Sequence, residues 1–149
     1  MLRPMPERFT VAPAASAARP IFRHPVRVYW EDTDAGGIVY YANYLRFFER
    51  ARTEWLRALG VEQQALRAGS GTIFVVTDVR VAYRSPARLD DDLDVTVLLD
   101  HAGRVALEVA QQARRGGTVL AEGQVRIGCV DAQTLRPCRI PTQILDVLA

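Results

Sequence analysis

An acidic, glycine-containing loop is the part of this sequence best suited to chemistry. Residues Glu31–Gly37 place three carboxylates and two glycines between a strand-like run and the start of a helical pattern. The N-terminus of a helix presents unpaired backbone N–H groups and a partial positive charge, which polarise a carbonyl oxygen and stabilise an oxyanion. A carboxylate beside these donors could attack an acyl carbon or activate a water molecule. The arrangement is therefore compatible with acyl transfer.

Simpler interpretations of this loop stay open. Acidic residues before a helix more often act as caps or as partners of the helix dipole than as catalysts, and a solvated turn has a similar composition. A calcium loop is excluded: Asp32, Asp34 and Gly37 match positions of the EF-hand pattern, but a strand rather than a helix precedes them. Composition alone therefore does not decide between catalysis and structure.

The inventory of reactive side chains narrows the chemistry further. The chain of 149 residues carries 19 basic residues, all of them arginine, and 17 acidic ones. Without lysine, Schiff-base and pyridoxal-phosphate chemistry and a phosphate-binding P-loop are excluded. Ser70 lacks the glycine spacing of a nucleophile elbow. The histidines and cysteines, which show no spacing typical of metal ligands, are His24, His101, Cys129 and Cys138. We therefore expect carboxylates or tyrosines to do the acid–base work, with no metal and no resident cofactor.

Composition predicts one folded domain preceded by a tail. Residues 1–22 are rich in alanine and proline and show no periodicity, so we interpret them as a flexible tail or an over-long gene start, with the domain at 23–149. The tail carries three arginines and one glutamate, which accounts for the whole net charge of +2. A formally neutral domain argues against a nucleic-acid partner. Without a long apolar run or a signal-like segment, we expect a cytoplasmic protein with free thiols.

Hydrophobic periodicity predicts one long helix. Alternation at Val26, Val28 and Trp30 indicates a strand. From about Tyr41 the period becomes that of a helix of about five turns, which ends near Gly60. The apolar face of this helix is formed by Tyr44, Leu45, Phe47, Phe48, Ala51, Trp55, Leu56 and Leu59.

Four strand patterns follow the helix. Alternating apolar residues mark runs at 73–81, 93–99, 105–109 and 119–127, and a proline-broken segment at 135–141 is expected to leave the sheet. Short connections between consecutive strands indicate antiparallel neighbours. The expected fold is α+β, with a curved antiparallel sheet wrapped around one central helix. Open sheet edges favour dimerisation.

The loop and its flanks also resemble a known family. Four segments carry the resemblance: Val28–Tyr44, Phe47–Glu54, Tyr83–Asp91 and Cys129–Asp131. Together they resemble the hotdog-fold acyl-CoA thioesterases, most closely the subfamily encoded with the bacterial Tol-Pal envelope genes. They are also similar to 4-hydroxybenzoyl-CoA thioesterases of the Asp type. The resemblance covers about residues 22–141 and implies the hotdog fold, in which a sheet wraps around one helix.

The resemblance implies roles for individual residues. Asp34 matches the catalytic aspartate, and the backbone N–H of Tyr41 matches the donor that polarises the thioester carbonyl. Glu49 is a weaker candidate for orienting water. The residues expected to contact substrate are Trp30, Gly37, Tyr40, Arg84 and Arg88, the arginines through coenzyme A phosphates. Because arginine carries all the positive side-chain charge in this chain, its abundance alone is weak evidence for a coenzyme A site.

Two residues depart from the Tol-Pal pattern. That subfamily usually has histidine at the position of Tyr41 and tyrosine at the position of Trp30. Loss of the histidine argues against an imidazole-assisted step, whereas a backbone N–H survives the side-chain change.

The expected activity is hydrolysis of a short-chain, medium-chain or aromatic acyl-CoA to the free acid and coenzyme A. The expected assembly is a homodimer or homotetramer. A hotdog module that binds acyl thioesters or cell-envelope partners without catalysis is the alternative.

Overall fold

The computed structural model describes residues 19–149, and a five-stranded antiparallel sheet is its framework. The strands are β1 (Phe22–Arg27), β2 (Thr72–Tyr83), β3 (Asp92–Ala102), β4 (Ala106–Arg115) and β5 (Thr118–Asp131). Their spatial order is β1-β3-β4-β5-β2, which leaves β1 and β2 at the edges. The helices are α1 (Asn43–Ala58), α2 (Gln63–Ser70) and α3 (Thr142–Leu148). The expected α+β architecture is confirmed. Most of the predicted tail, residues 1–18, lies outside the described residues.

Helix α1 supplies the centre of the core. Phe47, Phe48 and Ala51 are fully buried in one apolar core with residues of the sheet. A Cβ placed on Gly123 of β5 would lie 2.9 Å from Cε2 of Phe48, so glycine at this position makes room for the ring. The buried Gln111 of β4 donates its side-chain N–H to the Phe48 carbonyl at 3.0 Å. Apolar packing and one buried hydrogen bond therefore fix α1 against the sheet.

The first strand ends earlier than predicted. It stops at Arg27, and Trp30 instead begins a single turn of 3-10 helix (Trp30–Asp32), where Trp30 is 80% exposed. The Asp32 carboxylate accepts a hydrogen bond from the backbone N–H of Tyr29 at 2.8 Å, and this contact turns the chain out of the sheet. The prediction that Trp30 continues the strand is therefore wrong.

Leu45 also departs from its predicted place. It was expected on the apolar face of α1 but is 39% exposed. Leu56 projects from α1 at a similar angle about three turns later and is buried. The helix period alone does not show how far the surrounding elements extend along α1, and this side of its first turn is uncovered.

The C-terminal segment keeps one contact with the sheet before it forms a helix. Pro137 makes an isolated antiparallel bridge with Val130 of β5. The chain then enters α3, which was not predicted, and buries Ile144 and Leu148. These residues lie one helical turn apart, but a helix of seven residues is too short to give a clear periodicity. No helix among residues 19–149 has the length and hydropathy needed to span a membrane.

Candidate active site

Backbone hydrogen bonds hold the acidic loop in a tight turn. The Asp34 N–H donates to the Ile38 carbonyl, and the Gly37 N–H donates to the Asp34 carbonyl, both at 3.0 Å. Gly37 has a φ of +77°, a left-handed conformation that suits glycine. Thr33 and Val39 form an antiparallel bridge across the base of the turn. The sequence therefore presents Asp34 from a closed turn rather than from an extended linker.

Asp32 ties this turn to the start of α1. Its side chain is buried, and its carbonyl accepts hydrogen bonds from the Tyr40 N–H and from the side-chain amide of Asn43, both at 2.9 Å. Because its hydrogen bonds go to other residues of the loop and of the start of α1, Asp32 shapes the loop.

The carboxylate of Asp34 stays open to solvent. One of its oxygens, Oδ1, accepts a hydrogen bond from the Gly36 N–H at 2.8 Å, and a Cβ on Gly36 would lie 3.1 Å from that oxygen. In residues 19–149, no protein donor contacts the second oxygen, Oδ2. The turn thus fixes the direction of the carboxylate through one oxygen and leaves the other available to a reactant.

The backbone N–H of Tyr41 is an unused donor at the beginning of α1. Two N–H groups close to it are occupied: Tyr40 donates to the Asp32 carbonyl, and Asn43 donates to the Tyr40 carbonyl at 2.8 Å. The N–H of Ala42, like that of Tyr41, has no partner among the described residues. The N–H of Tyr41 makes no hydrogen bond to any described residue. Tyr41 directly precedes the N-cap residue Ala42, so its free donor lies just before the positive end of α1, where an oxyanion would be stabilised.

A partly apolar cavity of about 300 Å³ opens beside Tyr41. Its walls come from the end of the acidic loop, the first turn of α1 and the segment after β2. The lining residues are Ile38, Val39, Tyr41, Tyr44, Tyr83, Arg84, Ser85 and Pro86. The ring of Tyr83 meets those of Tyr41 and Tyr44 at centroid distances of 6.1 and 5.5 Å, both in edge arrangements. The cavity has room for a compact acyl group beside Tyr41.

Tyrosine hydroxyls around this cavity are held in their neutral form. Burial raises the pKa of Tyr44, and burial together with the neighbouring Tyr41 and Tyr44 raises the pKa of Tyr83. The neighbouring Tyr41 hydroxyl raises the pKa of Tyr40, and the negative charge of Asp34 acts in the same direction. These hydroxyls can donate hydrogen bonds at neutral pH, whereas proton abstraction is left to a carboxylate.

The two arginines predicted to bind coenzyme A lie on one segment. Arg84 lines the cavity and forms an ion pair with Glu122 at 3.1 Å. Arg88 forms a bridge with Ile38 of the loop, and its backbone N–H donates to Asp91 at 2.8 Å. Burial would raise the pKa of Asp91, but the Arg88 N–H and the Arg115 guanidinium hold it below its usual range. Arg84 and Arg88 therefore both lie beside the segment that follows the acidic loop.

Glu49 lines a second cavity, separate from the cavity beside Tyr41. It accepts a hydrogen bond from the Thr53 hydroxyl at 3.1 Å. The cavity measures about 120 Å³. Its lining residues are Glu49, Arg52, Thr53, Leu56, Gln63, Phe74, Val76 and Ile127, none of which lines the Tyr41 cavity. Burial lowers the pKa of the nearby Arg52, while the Glu49 charge opposes that shift. Within one chain, Asp34 and Tyr41 lie on the same segment leading into α1, but Asp34 does not line the Tyr41 cavity, and Glu49 lines a different cavity.

Two tyrosines of the site were missed as functional candidates. Tyr83 continues the alternation of β2 by one more step, and Tyr44 lies on the apolar face of α1, so periodicity placed both in the framework. The hydroxyl of Tyr83 donates to the Tyr41 carbonyl at 2.8 Å, and the hydroxyl of Tyr44 accepts from the Ala87 N–H at 3.2 Å. No local pattern shows these contacts, because they join residues about 40 positions apart.

Comparisons with known proteins agree with this geometry. The thioesterase-like superfamily matches residues 28–148. The acyl-CoA thioester hydrolase YbgC of Escherichia coli O6:H1 is 44% identical over 84% of this chain and 93% of its own length. The acyl-CoA thioesterase YbgC of Haemophilus influenzae is 42% identical over 83% of this chain and 90% of its own length.

A solved structure supports the same assignment. The probable thioesterase of Bartonella henselae superposes with a TM-score of 0.79 at 30% identity, covering 82% of this chain and all of that one. Superfamily, relatives and fold agree over the part of the chain that holds Asp34 and Tyr41. The chain therefore belongs to the thioesterase-like superfamily, has the hotdog fold and is a thioester hydrolase.

Proposed function

We propose that this protein hydrolyses an acyl-CoA to the free acid and coenzyme A, with Asp34 as its catalytic carboxylate. The observation that carries the proposal is the unused N–H of Tyr41 at the start of α1, beside a loop that presents a solvent-open carboxylate. The similarity to the YbgC acyl-CoA thioester hydrolases supports the acyl-CoA substrate.

The reaction follows from the two groups. The thioester carbonyl oxygen accepts a hydrogen bond from the Tyr41 N–H. The positive end of α1 stabilises the negative charge that develops on this oxygen. Asp34 then acts in one of two ways. As a general base it takes a proton from water, hydroxide adds to the acyl carbon, and the proton passes to the departing thiolate. As a nucleophile it displaces the thiolate to form a mixed anhydride, which water hydrolyses. Both routes produce the acid and the thiol of coenzyme A.

The acyl group that we propose is short, of medium length or aromatic. A cavity of about 300 Å³ is at the lower end of the range for small-molecule sites. Its walls include three tyrosine rings and Pro86, which suit a compact apolar group. Arg84 and Arg88 lie beside the entrance loop and are proposed to contact the phosphates of coenzyme A.

A panel of acyl-CoAs tests the activity. We expect thiol release, measured with a chromogenic thiol reagent, to be fastest for compact acyl groups and to fall for long chains. Affinity for acyl-CoA analogues without turnover of any member of the panel would instead support a binding module.

We also propose that the active form is a homodimer joined through β2. The other edge, β1, is short, contains Pro25 and has ion pairs through Arg23 and Arg27, features that protect a sheet edge. The β2 edge also has an ion pair, Arg80–Asp78, and a bulge after Val76, but it is twelve residues long and leaves Val76 and Tyr83 about half exposed. Such an edge pairs readily with a second copy. A higher assembly would be built from this dimer.

This dimer would give Glu49 a role. When two β2 strands pair antiparallel about their midpoint, the Tyr83 end of one lies beside the Thr72 end of the other. The Glu49 cavity, which includes Phe74 and Val76 of β2, then faces the Tyr41 cavity of the opposite subunit. We propose that Glu49 orients water in the partner's site.

Two measurements test the dimer and the shared site. Val76→Arg should reduce the mass in solution to that of a monomer, whereas Val105→Arg, at a residue 40% rather than 48% exposed, should not.

Mixed dimers of Asp34→Asn and Glu49→Gln chains should recover activity, because one of their two sites contains both native carboxylates. No recovery in verified mixed dimers would place Glu49 in its own subunit's site or outside the reaction.

Two further assignments rest on sequence likeness and chemistry. The Glu31–Gly37 loop and its flanks match the Tol-Pal-associated subfamily except at Trp30 and Tyr41, and we propose membership of that subfamily. The identity of the genes adjacent to the coding sequence tests this membership.

An enzyme that consumes acyl-CoA would act in the cytoplasm, and fractionation of cells that make the native protein tests that location.

A further inference from the structure

The two cysteines of the chain lie together, away from the proposed active site. Cys129 is buried on β5, and Cys138 is partly exposed on the segment that follows it. Their sulfur atoms are 3.7 Å apart. Neither residue lines the Tyr41 cavity or the Glu49 cavity, so the catalytic proposal gives this pair no role.

Backbone pairing sets the two cysteines directly opposite each other. Val130 and Pro137 form an antiparallel bridge, which puts positions 129 and 138 in the adjacent opposed pair. The Cys138 N–H donates to the Cys129 carbonyl at 2.9 Å. The Cys129 N–H donates instead to the Val105 carbonyl at 2.8 Å, so one of the two possible backbone bonds joins the pair. The sulfur separation of 3.7 Å compares with about 2.05 Å in a disulfide. Closure therefore requires the two sulfur atoms to approach each other by roughly 1.6 Å.

We propose that Cys129 and Cys138 are a redox-active dithiol that forms an intramolecular disulfide and anchors the C-terminal segment to β5. The co-reactant is a low-molecular-weight disulfide such as oxidised glutathione, and the reaction does not involve Asp34 or Tyr41.

The surroundings assign a different task to each thiol. Cys138 is the accessible one, and the exposed Arg136 and Arg139 on either side of it attract an anionic disulfide. Cys129 is buried, which keeps its sulfur from an external oxidant. Burial and the adjacent Cys138 raise the pKa of Cys129 to about 12, and the part of this shift that comes from Cys138 is removed once Cys138 has reacted. Cys129 is therefore the resolving thiol, which acts only after Cys138 has reacted.

The exchange is balanced in two steps. The Cys138 thiol loses its proton, its sulfur attacks one sulfur of oxidised glutathione, and the glutathione S–S bond breaks to release one glutathione thiolate. Cys129 then loses its proton and attacks the Cys138 sulfur, which releases the second glutathione thiolate. Each thiolate takes up one proton. The protein loses two electrons and two protons, and oxidised glutathione becomes two molecules of reduced glutathione.

The bond would hold a segment that contributes to the core. After Cys138 the chain buries Ile140 and, within α3, Ile144 and Leu148. A covalent link at the start of this segment limits the freedom of the unfolded chain. The oxidised protein should therefore unfold at a higher temperature than the reduced protein.

Oxidation of the folded, full-length chain tests the proposal. The protein is incubated with oxidised glutathione, alkylated without reductant, digested with a protease that cleaves before Asp131, between the two cysteines, and analysed by mass spectrometry. We expect a single peptide pair linked through Cys129 and Cys138, lighter by two hydrogen atoms than the reduced pair, with no retained glutathione, and a rise in melting temperature that dithiothreitol reverses. In the Cys129→Ser variant, Cys138 should keep a glutathione adduct, because no resolving thiol is present. Two free thiols after exposure to oxidant, glutathione retained on Cys138 of the unsubstituted chain, or cross-links only between chains would overturn the proposal.

Discussion

The hydroxyl of Tyr83 donates a hydrogen bond to the carbonyl of Tyr41 at 2.8 Å. This contact joins the last residue of the edge strand β2 to the residue whose N–H is unused at the start of α1. Tyr83 thereby connects the strand proposed to form the dimer with the donor proposed to bind the thioester oxygen. We treat Tyr83 as a positioning residue, because it acts through Tyr41.

Removing this hydroxyl should weaken catalysis without unfolding the protein. A neutral hydrogen bond contributes about 1 kcal/mol, so we expect Tyr83→Phe to lower kcat/KM about fivefold. The matched control is Tyr29→Phe, because Tyr29 is also exposed. Steady-state kinetics on a compact acyl-CoA measures the effect, and equal rates for both variants would remove Tyr83 from the site.

The backbone donor at Tyr41 can be deleted by proline. Tyr41→Pro removes the N–H, and loss of one oxyanion donor lowers kcat by about 100- to 1,000-fold. Tyr41→Ala keeps the N–H and should lose far less activity. Circular dichroism verifies that both variants retain α1. If the alanine variant is as inactive as the proline variant, the aromatic side chain rather than the N–H carries the function.

Packing around Gly123 predicts a stability effect. Gly123→Ala places a methyl group 2.9 Å from Phe48 and 3.4 Å from the Arg80 carbonyl. Overpacking of this kind costs about 1–3 kcal/mol of unfolding free energy. Gly117→Ala is the control, because nothing lies within 4 Å of its Cβ position. Urea unfolding of the two variants makes the comparison, and equal midpoints would show that Phe48 can move aside.

The depressed pKa of Asp91 predicts a pH dependence of stability. Its ionised form is favoured in the folded state, so the unfolded chain binds more protons as the pH falls. The stabilisation is therefore present above the ordinary carboxyl pKa and is lost at lower pH. Asp91→Asn should make the unfolding free energy less dependent on pH between about 5 and 2. Asp146→Asn, at an exposed residue, is the matched control for the removal of one carboxylate, and parallel curves for all three proteins would contradict this account.

Much of the framework could be predicted from the sequence because its signals are local. The i, i+4 and i+7 spacing of Tyr44, Phe48 and Ala51 predicted α1, and the alternation of apolar residues predicted the strands that cover it. The burial of a residue also depends on how far neighbouring elements extend, which the local pattern does not show. Leu45 has the spacing of a core residue but lies beyond the cover that the rest of the fold provides.

The site was only partly predictable for a similar reason. The types and order of residues indicated the Asp34 turn and the helix start behind it. The hydrogen bond between Tyr83 and Tyr41 and the opposed cysteines at 129 and 138 depend on which distant segments the sheet brings together. Neither contact leaves a periodic or compositional signal.

Substitution of Asp34 is the most direct test of the central claim. Asp34→Asn keeps the side-chain shape and the oxygen that can accept from Gly36, but it removes the charge needed for either catalytic route. Loss of a positioned acid–base group lowers the rate by about 100- to 10,000-fold. We therefore expect thiol release from an acyl-CoA that the wild-type protein hydrolyses to fall by that factor. Glu31→Gln, an exposed carboxylate of the same loop, should stay near the wild-type rate. A wild-type rate for folded Asp34→Asn would contradict the assignment of Asp34 as the catalytic carboxylate.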